Sequence, residues 1–404
     1  MEIATLADAG KLTGTVMLRV DFNSPIDPST NQILDDKRFR EHLPTVQALE
    51  DTRLVVLTHQ SRPGKKDFTT LEAHAAKLER LLGRPVTYVD DIFGRCARET
   101  IRGSKRGDVL MLENLRFAAE ENLTLKPEEA KKTLLVRRLA SMAEFYVNDA
   151  FGTAHRSQPS IVGLPLALPS VAGLLMEKEI TNLSRVFSDA PRPVTFVLGG
   201  TKVDDSIAVA QNVLAHGTAN RVIVVGVVGN VFLLAAGHRI GRSSERLIED
   251  LGYRAEIERA KKLLDVHGDR IVLPDSIAVR EEGERVDYPV NAVPEDAQVL
   301  DIGTEAIRRL AEVITTSGTV VVNGPAGLFE EEPFALGTYE ILRAASSVEF
   351  SVVGGGHSGA AVERLGIEDR FTHISTGGGA AIEFLTGKKL PAIEALEMSR
   401  NLFW

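Results

Sequence analysis

The sequence predicts an α/β protein with parallel sheets, divided into two halves. Three observations carry this. Short β-rich runs alternate with helical stretches along the whole chain, the pattern of βαβ units. At 404 residues the chain has length for two domains, each with a core of its own. Near the middle, prolines and glycines lead into one charged amphipathic stretch, roughly residues 173–188, and Pro191 and Pro193 then stop it. That stretch reads either as a helix connecting two α/β halves or as a surface helix within one domain.

In the first half the strands are expected in TVMLRVDF (15–22), RLVVLTH (53–59), VTYVD (86–90), DVLMLENLRF (108–117) and AEFYVNDAF (143–151). In the second half they are expected in VTFVLGG (194–200), RVIVVG (221–226), RIVLPD (270–275), AQVLDIG (297–303), TVVVNGP (319–325) and FSVVGGG (350–356). Helices fall between them, for example SIAVAQNVLAHG (206–217) and TEAIRRLAEVIT (304–315). No short repeat and no low-complexity tract interrupts the pattern.

Composition narrows the function classes. Hydrophobic residues make up 44% and charged residues 25%, ordinary values for a folded soluble chain. The formal net charge is −9, nearly balanced over the first 170 residues and acidic thereafter. That argues against a broad nucleic-acid surface and leaves room for a local cationic pocket in the N-terminal half. The single cysteine, Cys96, excludes an internal disulfide and a multi-cysteine metal site, and it fits a reducing cytoplasm. Residues 1–20 show no basic segment followed by an apolar core, so no signal peptide is expected. The apolar run 222–237 is interrupted by Asn230 and glycines, and the run 161–176 is broken by Pro165 and Pro169, so no membrane span is expected.

Ligands of open α/β sheets bind beyond the carboxyl ends of the strands. In the first half those ends are polar and cationic. RVDFNSP supplies Asp21 and Asn23, DDKRFR supplies Arg38, THQSRP supplies His59 and Arg62, LENLRF supplies Arg116, and NDAFGTAHR supplies His155 and Arg156. Any one arginine can be a solvated surface charge. Four after sheet-ending positions imply a small ligand with several negative groups, because guanidinium forks match carboxylate and phosphate bidentately.

In the second half the ends are glycine-rich: LGGTKVDDS, VVGVVGN, VNGPAGLFE, VVGGGHSG and STGGGAA. A single glycine turn can be only a tight turn. Five along one sheet edge suggest a polyphosphate cradle, since glycines let backbone N–H groups approach phosphate at helix N-termini. Lys202 adds a mobile positive charge there, and the carboxylates of GLFEEEP can accept ribose hydroxyl bonds. Within FSVVGGGHSGAAVERLG, Gly354, Gly356 and Gly359 also fit the dinucleotide fingerprint G-x-G-x-x-G, a weak signal alone. Walker A, H-E-x-x-H, G-x-S-x-G and C-x-x-C patterns do not occur. An anion pocket on one half and a phosphate cradle on the other suggest phosphoryl transfer across a cleft. No residue stands out as a general base, which is informative if the acceptor is a carboxylate already ionised at neutral pH.

These residues resemble those of phosphoglycerate kinases. RVDFN, HQSRP, ENLRF, NDAFGTAHR, LGGTKV, NGPAGLFE and STGGGA occur in that family's order over essentially the full length, and jointly they are highly specific. The resemblance implies two doubly wound, Rossmann-like parallel-sheet domains joined by a long helix. It places a 3-phosphoglycerate domain at 1–172, the helix at 173–188, a nucleotide domain at 189–380 and a C-terminal tail, 381–404, that returns to the first domain. It implies reversible phosphoryl transfer between 1,3-bisphosphoglycerate and ADP in glycolysis and gluconeogenesis, with hinge bending at the helix and at residues 375–380. The acid substrate is assigned to Asp21, Phe22, Asn23, Arg38, His59, Gln60, Ser61, Arg62, Arg116 and Arg156. Mg-ATP or Mg-ADP is assigned to Lys202, Asn323, Glu330, Gly355, Gly356, His357 and Ser358, with Gly377–Gly379 forming a further turn. Arg38, Lys202, Gly377 and Gly378 are the catalytic expectations. A cytoplasmic monomer is expected, with small-molecule substrates and no nucleic-acid or membrane partner.

The chain departs from the family pattern twice. His357 stands where an acidic residue often helps hold the metal, and Ser206 stands where a second lysine often follows the first. The protein ligand of Mg²⁺ is therefore left unassigned, the ion being held mostly by nucleotide oxygens and water. Two rival readings stay open. A non-catalytic nucleotide or metabolite sensor rests on those two losses, and retention of Arg38, Lys202 and STGGGA weighs against it. A dehydrogenase rests on the glycine fingerprint; Glu368 and Asp369 come too early to be its ribose ligand.

Overall fold

The computed structural model describes residues 2–404. The chain divides into two compact units, one made of residues up to Ile180 together with Lys389–Trp404, the other of Thr181–Lys388.

The first unit is built on a six-stranded parallel sheet. Its strands are β1 (Thr15–Arg19), β2 (Arg53–Leu57), β3 (Thr87–Val89), β4 (Val109–Leu112), β5 (Phe145–Asn148) and β6 (Ser170–Ala172), in the order β3-β4-β2-β1-β5-β6. Every residue of β1 is buried, as expected of a central parallel strand covered on both faces. The pleat sorts these side chains. Val16 and Leu18 join a cluster with Phe22, Phe39, Leu54 and Val56, whereas Met17 joins Val55, Leu57 and Leu110 on the other face. Two helices on this unit matter for the site: α1 (Lys37–Ala48) and α2 (Glu72–Leu82).

α3 (Leu174–Ser188) is the predicted connecting helix, and it begins in the first unit and ends in the second. At 1.5 Å per residue its 15 residues span roughly 22 Å.

The second unit repeats the design with β7 (Val194–Leu198), β8 (Arg221–Val224), β9 (Ile271–Val272), β13 (Thr319–Asn323), β14 (Phe350–Gly354) and β15 (His373–Ile374), all parallel, ordered β15-β14-β13-β7-β8-β9. Between β9 and β13 lies a three-stranded antiparallel sheet: β10 (Ser276–Glu281), β11 (Glu284–Pro289) and β12 (Val299–Ile302), ordered β11-β10-β12. Here the structure corrects the sequence reading. AQVLDIG does form a strand, β12, but it pairs antiparallel with β10 instead of joining the parallel sheet. Neither strand of the β10–β11 hairpin was anticipated. Glu282 and Gly283 turn it with positive φ at both positions, as a two-residue hairpin loop requires.

Helices α4 (Val203–Ala215), α5 (Gly226–Ala235), α6 (Thr304–Thr315), α7 (Gly356–Leu365) and α8 (Gly379–Leu385) belong to the second unit. α6 coincides with the predicted TEAIRRLAEVIT. Asn212 Nδ2 of α4 donates to Leu385 O of α8 at 3.0 Å, so residues 381–388 stay with the second unit. The last helix, α9 (Pro391–Phe403), packs in the first unit, where Ala392 N–H donates to Ala154 O at 3.0 Å. Both parallel sheets reverse direction of winding at one place, between β1 and β5 in the first and between β7 and β13 in the second. Those switch points open a crevice at the carboxyl ends of the strands.

Candidate active site

In the first unit the crevice gathers the predicted cationic residues. The segment after β1 carries Asp21, and Arg38, in the first turn of α1, pairs with its carboxylate through Nη1 and Oδ2. Gly152 closes the other side. A Cβ at that position would lie 2.4 Å from Asp21 Oδ2, so this approach needs glycine. Ser61, after β2, sits at φ 56°, and its N–H donates to Asn23 Oδ1 at 2.7 Å. Arg116 Nη1 donates to Ser61 O. Asn23, Ser61, Arg62, Arg116 and Arg156 line one open depression of about 500 Å³, together with Lys65 and Gln158.

The electrostatics of this depression call for an anion. Burial lowers the Arg116 guanidinium to about 10, and the neighbouring Arg156 and Arg19 push the same way. Arg156 is lowered by burial too, with Arg19, Arg38 and Arg62 repelling it and only Asp21 in favour. Arg116 Nε is buried without a hydrogen-bond partner. Burial would raise the Asp21 carboxyl, but the Arg38 guanidinium, with Arg19 adding to it, outweighs this and holds Asp21 at about 2. His59 is driven well below its ordinary value by burial, Asp21 only partly opposing, so the ring is neutral at pH 7. Arg19 Nη2 lies 3.3 Å from His59 Nδ1, and arginine can only donate, so the His59 proton sits on Nε2.

Two predicted residues contribute differently. The Phe22 side chain is fully buried and stacked on Phe39, ring centroids 4.2 Å apart. Gln60 is fully buried, donating to Ser24 O at 3.0 Å and accepting from Ser24 N–H at 3.2 Å. Both brace the segments that carry their neighbours.

The second unit supplies backbone where the first supplies charge. Gly199 N–H donates to Asn323 O at 2.9 Å and Gly200 N–H to Pro325 O at 2.8 Å, joining the ends of β7 and β13 at the switch point. Ser358 Oγ accepts from Gly324 N–H at 2.9 Å and ties the start of α7 to β13. Gly355, at φ 84°, precedes α7 with no side-chain cap, so the first N–H groups of that helix are available to an anion. Asn323 Oδ1 is buried, unpartnered and beside Gly354 and Gly355. A cavity of about 310 Å³ opens next to these turns, lined among others by Gly200, Gly226, Asn230, Leu300, Glu330 and His357. Lys202 is exposed at the start of α4. Gly377 is buried, its N–H donating to Ser375 Oγ at 3.1 Å, and Gly378, at φ 50°, leads into α8. Of the predicted nucleotide residues Glu330 and His357 line this cavity; Lys202, Asn323, Gly355, Gly356, Ser358, Gly377 and Gly378 do not.

The sequence reading missed the groups behind both sites. Arg19, inside β1, is fully buried and bonded to Ser160 Oγ at 3.0 Å, near Glu121 at 4.0 Å. His42 and Asp149 form a buried pair at 2.7 Å. Asp301, on the floor of the second cavity, is raised to about 6 by burial, although Arg285 stands 2.8 Å away. The one available signal was a charged residue inside a strand that should be buried on both faces.

The chain matches the model of the family described as phosphoglycerate kinase over residues 6–388. The chain belongs to the phosphoglycerate kinase family. It is 63% identical over 403 residues to the phosphoglycerate kinase of Methanocorpusculum labreanum, covering 100% of both chains. The crystal structure of phosphoglycerate kinase from Pyrococcus horikoshii OT3 superposes with a TM-score of 0.89 at 43% identity, covering 96% of this chain and 97% of that one. The phosphoglycerate kinase structure from Coxiella burnetii gives 0.83 at 30% identity, covering 98% and 99%. As a phosphoglycerate kinase the chain is a glycolytic phosphotransferase, moving a phosphoryl group reversibly between 1,3-bisphosphoglycerate and ADP. Ser206, where the family often has a second lysine, is buried in α4 with its hydroxyl unpartnered. It adds no charge beside Lys202.

Proposed function

We propose that the first unit binds 3-phosphoglycerate and the second binds Mg-ATP or Mg-ADP, and that transfer proceeds by the following division of labour. The observation that carries the first assignment is the gathering of Arg62, Arg116 and Arg156 on one depression, where Arg156 repels Arg116 and the carboxylates of Glu121 and Asp21 offset this only in part. An acid carrying a phosphate relieves it. Arg62, Arg116 and Arg156 take the phosphate, Asn23 and Ser61 the hydroxyl, and Arg38 the carboxyl end. Phe22 and Gln60 act by packing. His59, neutral, turns its Nδ1 toward Arg19 and Asp21 and has its N–H at Nε2 to offer.

In the second unit Gly355, Gly356 and Ser358 present the start of α7 to the nucleotide phosphates, and Gly377 and Gly378 present the start of α8. Glu330 accepts from the ribose, and Asn323 turns its unpartnered Oδ1 toward a donor on the nucleotide or its hydration shell. His357 lines the cavity edge. Among the described residues no group of three or more His, Cys, Asp or Glu side chains could hold a metal. Mg²⁺ is read as arriving with the nucleotide substrate, held by phosphate oxygens and water.

The carboxylate oxygen of 3-phosphoglycerate bonds to the γ-phosphorus while the bond to the β–γ bridging oxygen of ATP breaks. No proton moves, because the acceptor is already ionised. What remains is alignment and neutralisation of charge on the transferring group, supplied by Arg38 and Lys202. The two ligands belong to different units, so transfer requires their being brought in line. α3 and residues 375–380 are the proposed hinges. No helix among the described residues is long and apolar enough to cross a membrane. A cytoplasmic monomer without nucleic-acid partners is the accompanying reading.

Calorimetry on Arg116→Ala tests the assignment. Its affinity for 3-phosphoglycerate should fall while Mg-ADP binding is unchanged. Loss of both affinities, or of neither, refutes it.

A further inference from the structure

We propose that His42 is a positioning residue that couples the acid-substrate site to the first turn of the connecting helix α3. The inference rests on the assignment of Asp21 and Arg38 to that site. α1 presents Arg38, His42 and Thr45 at spacings of four and three, so all three lie on one face. Arg38 pairs with the Asp21 carboxylate. One turn on, His42 Nε2 accepts from the Asp21 N–H at 3.1 Å. An accepting Nε2 leaves the ring's one proton on Nδ1, which donates to Asp149 Oδ2 at 2.7 Å. The other Asp149 oxygen, Oδ1, accepts from Leu175 N–H at 2.9 Å and Met176 N–H at 3.2 Å. Thr45 Oγ1 accepts from Leu174 N–H at 3.0 Å. The first three N–H groups of α3, which a helix cannot satisfy itself, are thus all held by side chains: two by Asp149, which leads through His42 to Asp21, and one by Thr45 on the same face of α1.

Each member is buried: His42 at 2% exposure, Thr45 and Asp149 at 0%. Gly173 fits the train. A Cβ there would lie 2.2 Å from Asp149 Oδ1, so glycine alone lets the carboxylate reach the helix start. The arrangement joins residues distant in sequence at the switch point between β1 and β5. Neither His42 nor Asp149 lines the anion depression, and the phosphoryl transfer uses no proton that they could supply. Their geometry instead gives any shift of Asp21 and Arg38 on substrate binding a contiguous hydrogen-bonded path to α3, which runs on into the second unit.

Two half-mimics separate the bonds. His42→Asn keeps an amide donor at the Nδ1 position and loses the Asp21 bond. His42→Gln keeps an acceptor at the Nε2 position and loses the Asp149 bond. For each, the affinity for 3-phosphoglycerate, kcat and the change in radius of gyration on adding 3-phosphoglycerate with Mg-ADP are measured, after circular dichroism confirms folding. The Gln variant should bind 3-phosphoglycerate within about threefold of the parent, yet lose about tenfold in kcat, the worth of one buried charge-assisted hydrogen bond. Its substrate-induced change in radius should shrink. The Asn variant should lose affinity as well. Parental kcat and radius change in the Gln variant overturn the coupling, as does a parent whose radius does not respond to substrates. If Arg38→Ala leaves 3-phosphoglycerate affinity and kcat untouched, the site assignment fails instead, whatever His42 does.

Discussion

Replacing Arg38 by alanine separates a structural role from a catalytic one, because the two differ in size. The structural part is the pairing with Asp21, whose side chain is 5% exposed, against 38% for Arg38. Asp21 is held at about 2 against an ordinary 3.8, a little under two pKa steps or at most about 2.5 kcal/mol. Arg38 is only one of the cations responsible and is partly solvated, so its removal should cost about 1 kcal/mol of stability. A depressed carboxyl stabilises the fold above its unfolded value and loses that contribution as pH falls through its folded value. The deficit of the variant should therefore be full near pH 7 and vanish toward pH 2. The catalytic part is larger. A guanidinium on a transferring phosphoryl group is commonly worth about 10³–10⁵ in rate, or roughly 4–7 kcal/mol. A 1 kcal/mol loss leaves a protein of ordinary stability folded, so it cannot mimic that effect. Arg38→Ala should thus lower kcat by about 10³ at pH 7.5, with a much smaller rise in KM for 3-phosphoglycerate. Arg38→Lys should recover only part, since an ammonium restores charge without the planar fork. The assay follows ATP-dependent formation of 1,3-bisphosphoglycerate, coupled to NADH oxidation by glyceraldehyde-3-phosphate dehydrogenase. A kcat within tenfold of the parent would remove Arg38 from the transition state.

Two further outcomes are expected. Lys202→Met should abolish turnover while leaving 3-phosphoglycerate affinity within about threefold, because the acid is assigned to the other unit; calorimetry showing a parallel loss of affinity would mean that the lysine acts on the fold. His74 is fully buried in α2 and lowered to about 4 by burial, so between about 6.5 and 4 the unfolded chain takes up a proton that the folded one refuses. From pH 7 to pH 5 this histidine alone should remove about 2 kcal/mol of stability, and His74→Gln should lose correspondingly less in urea unfolding. Identical pH dependence in parent and variant would exonerate His74.

What could be read from the sequence, and what could not, follows from the range of the interactions. The arginines of the first unit and the glycine turns of the second announce themselves because strand ends in parallel sheets all face one way, so position along the chain already places them at the carboxyl edge of a sheet. α6 coincides with its predicted bounds because helical periodicity is local. β6 escaped because three residues inside a proline-rich stretch carry no period, and the β10–β11 hairpin because Arg280, Glu281, Glu284 and Arg285 make its alternation look like a solvated loop. β12 was recognisable as a strand, but nothing in four residues says which neighbour they pair with or in which direction. The groups behind the site were the least accessible. Arg19 and Glu121 look like any other charges until β1, β2 and β5 close around them, and the bond between His42 and Asp149 joins positions 107 residues apart. Even inside a motif, chemistry and burial part company. RVDFN and HQSRP carry Phe22 and Gln60 beside Asp21 and His59, yet Phe22 stacks on Phe39 and Gln60 is spent on Ser24 and His74. A motif marks a segment whose backbone must be held in one place. Which of its side chains face a ligand and which hold the segment there is decided by what packs behind it, and in this chain that is α1, with Arg38 paired to Asp21 at the proposed substrate site and His42 bonded to Asp149 at the start of the connecting helix.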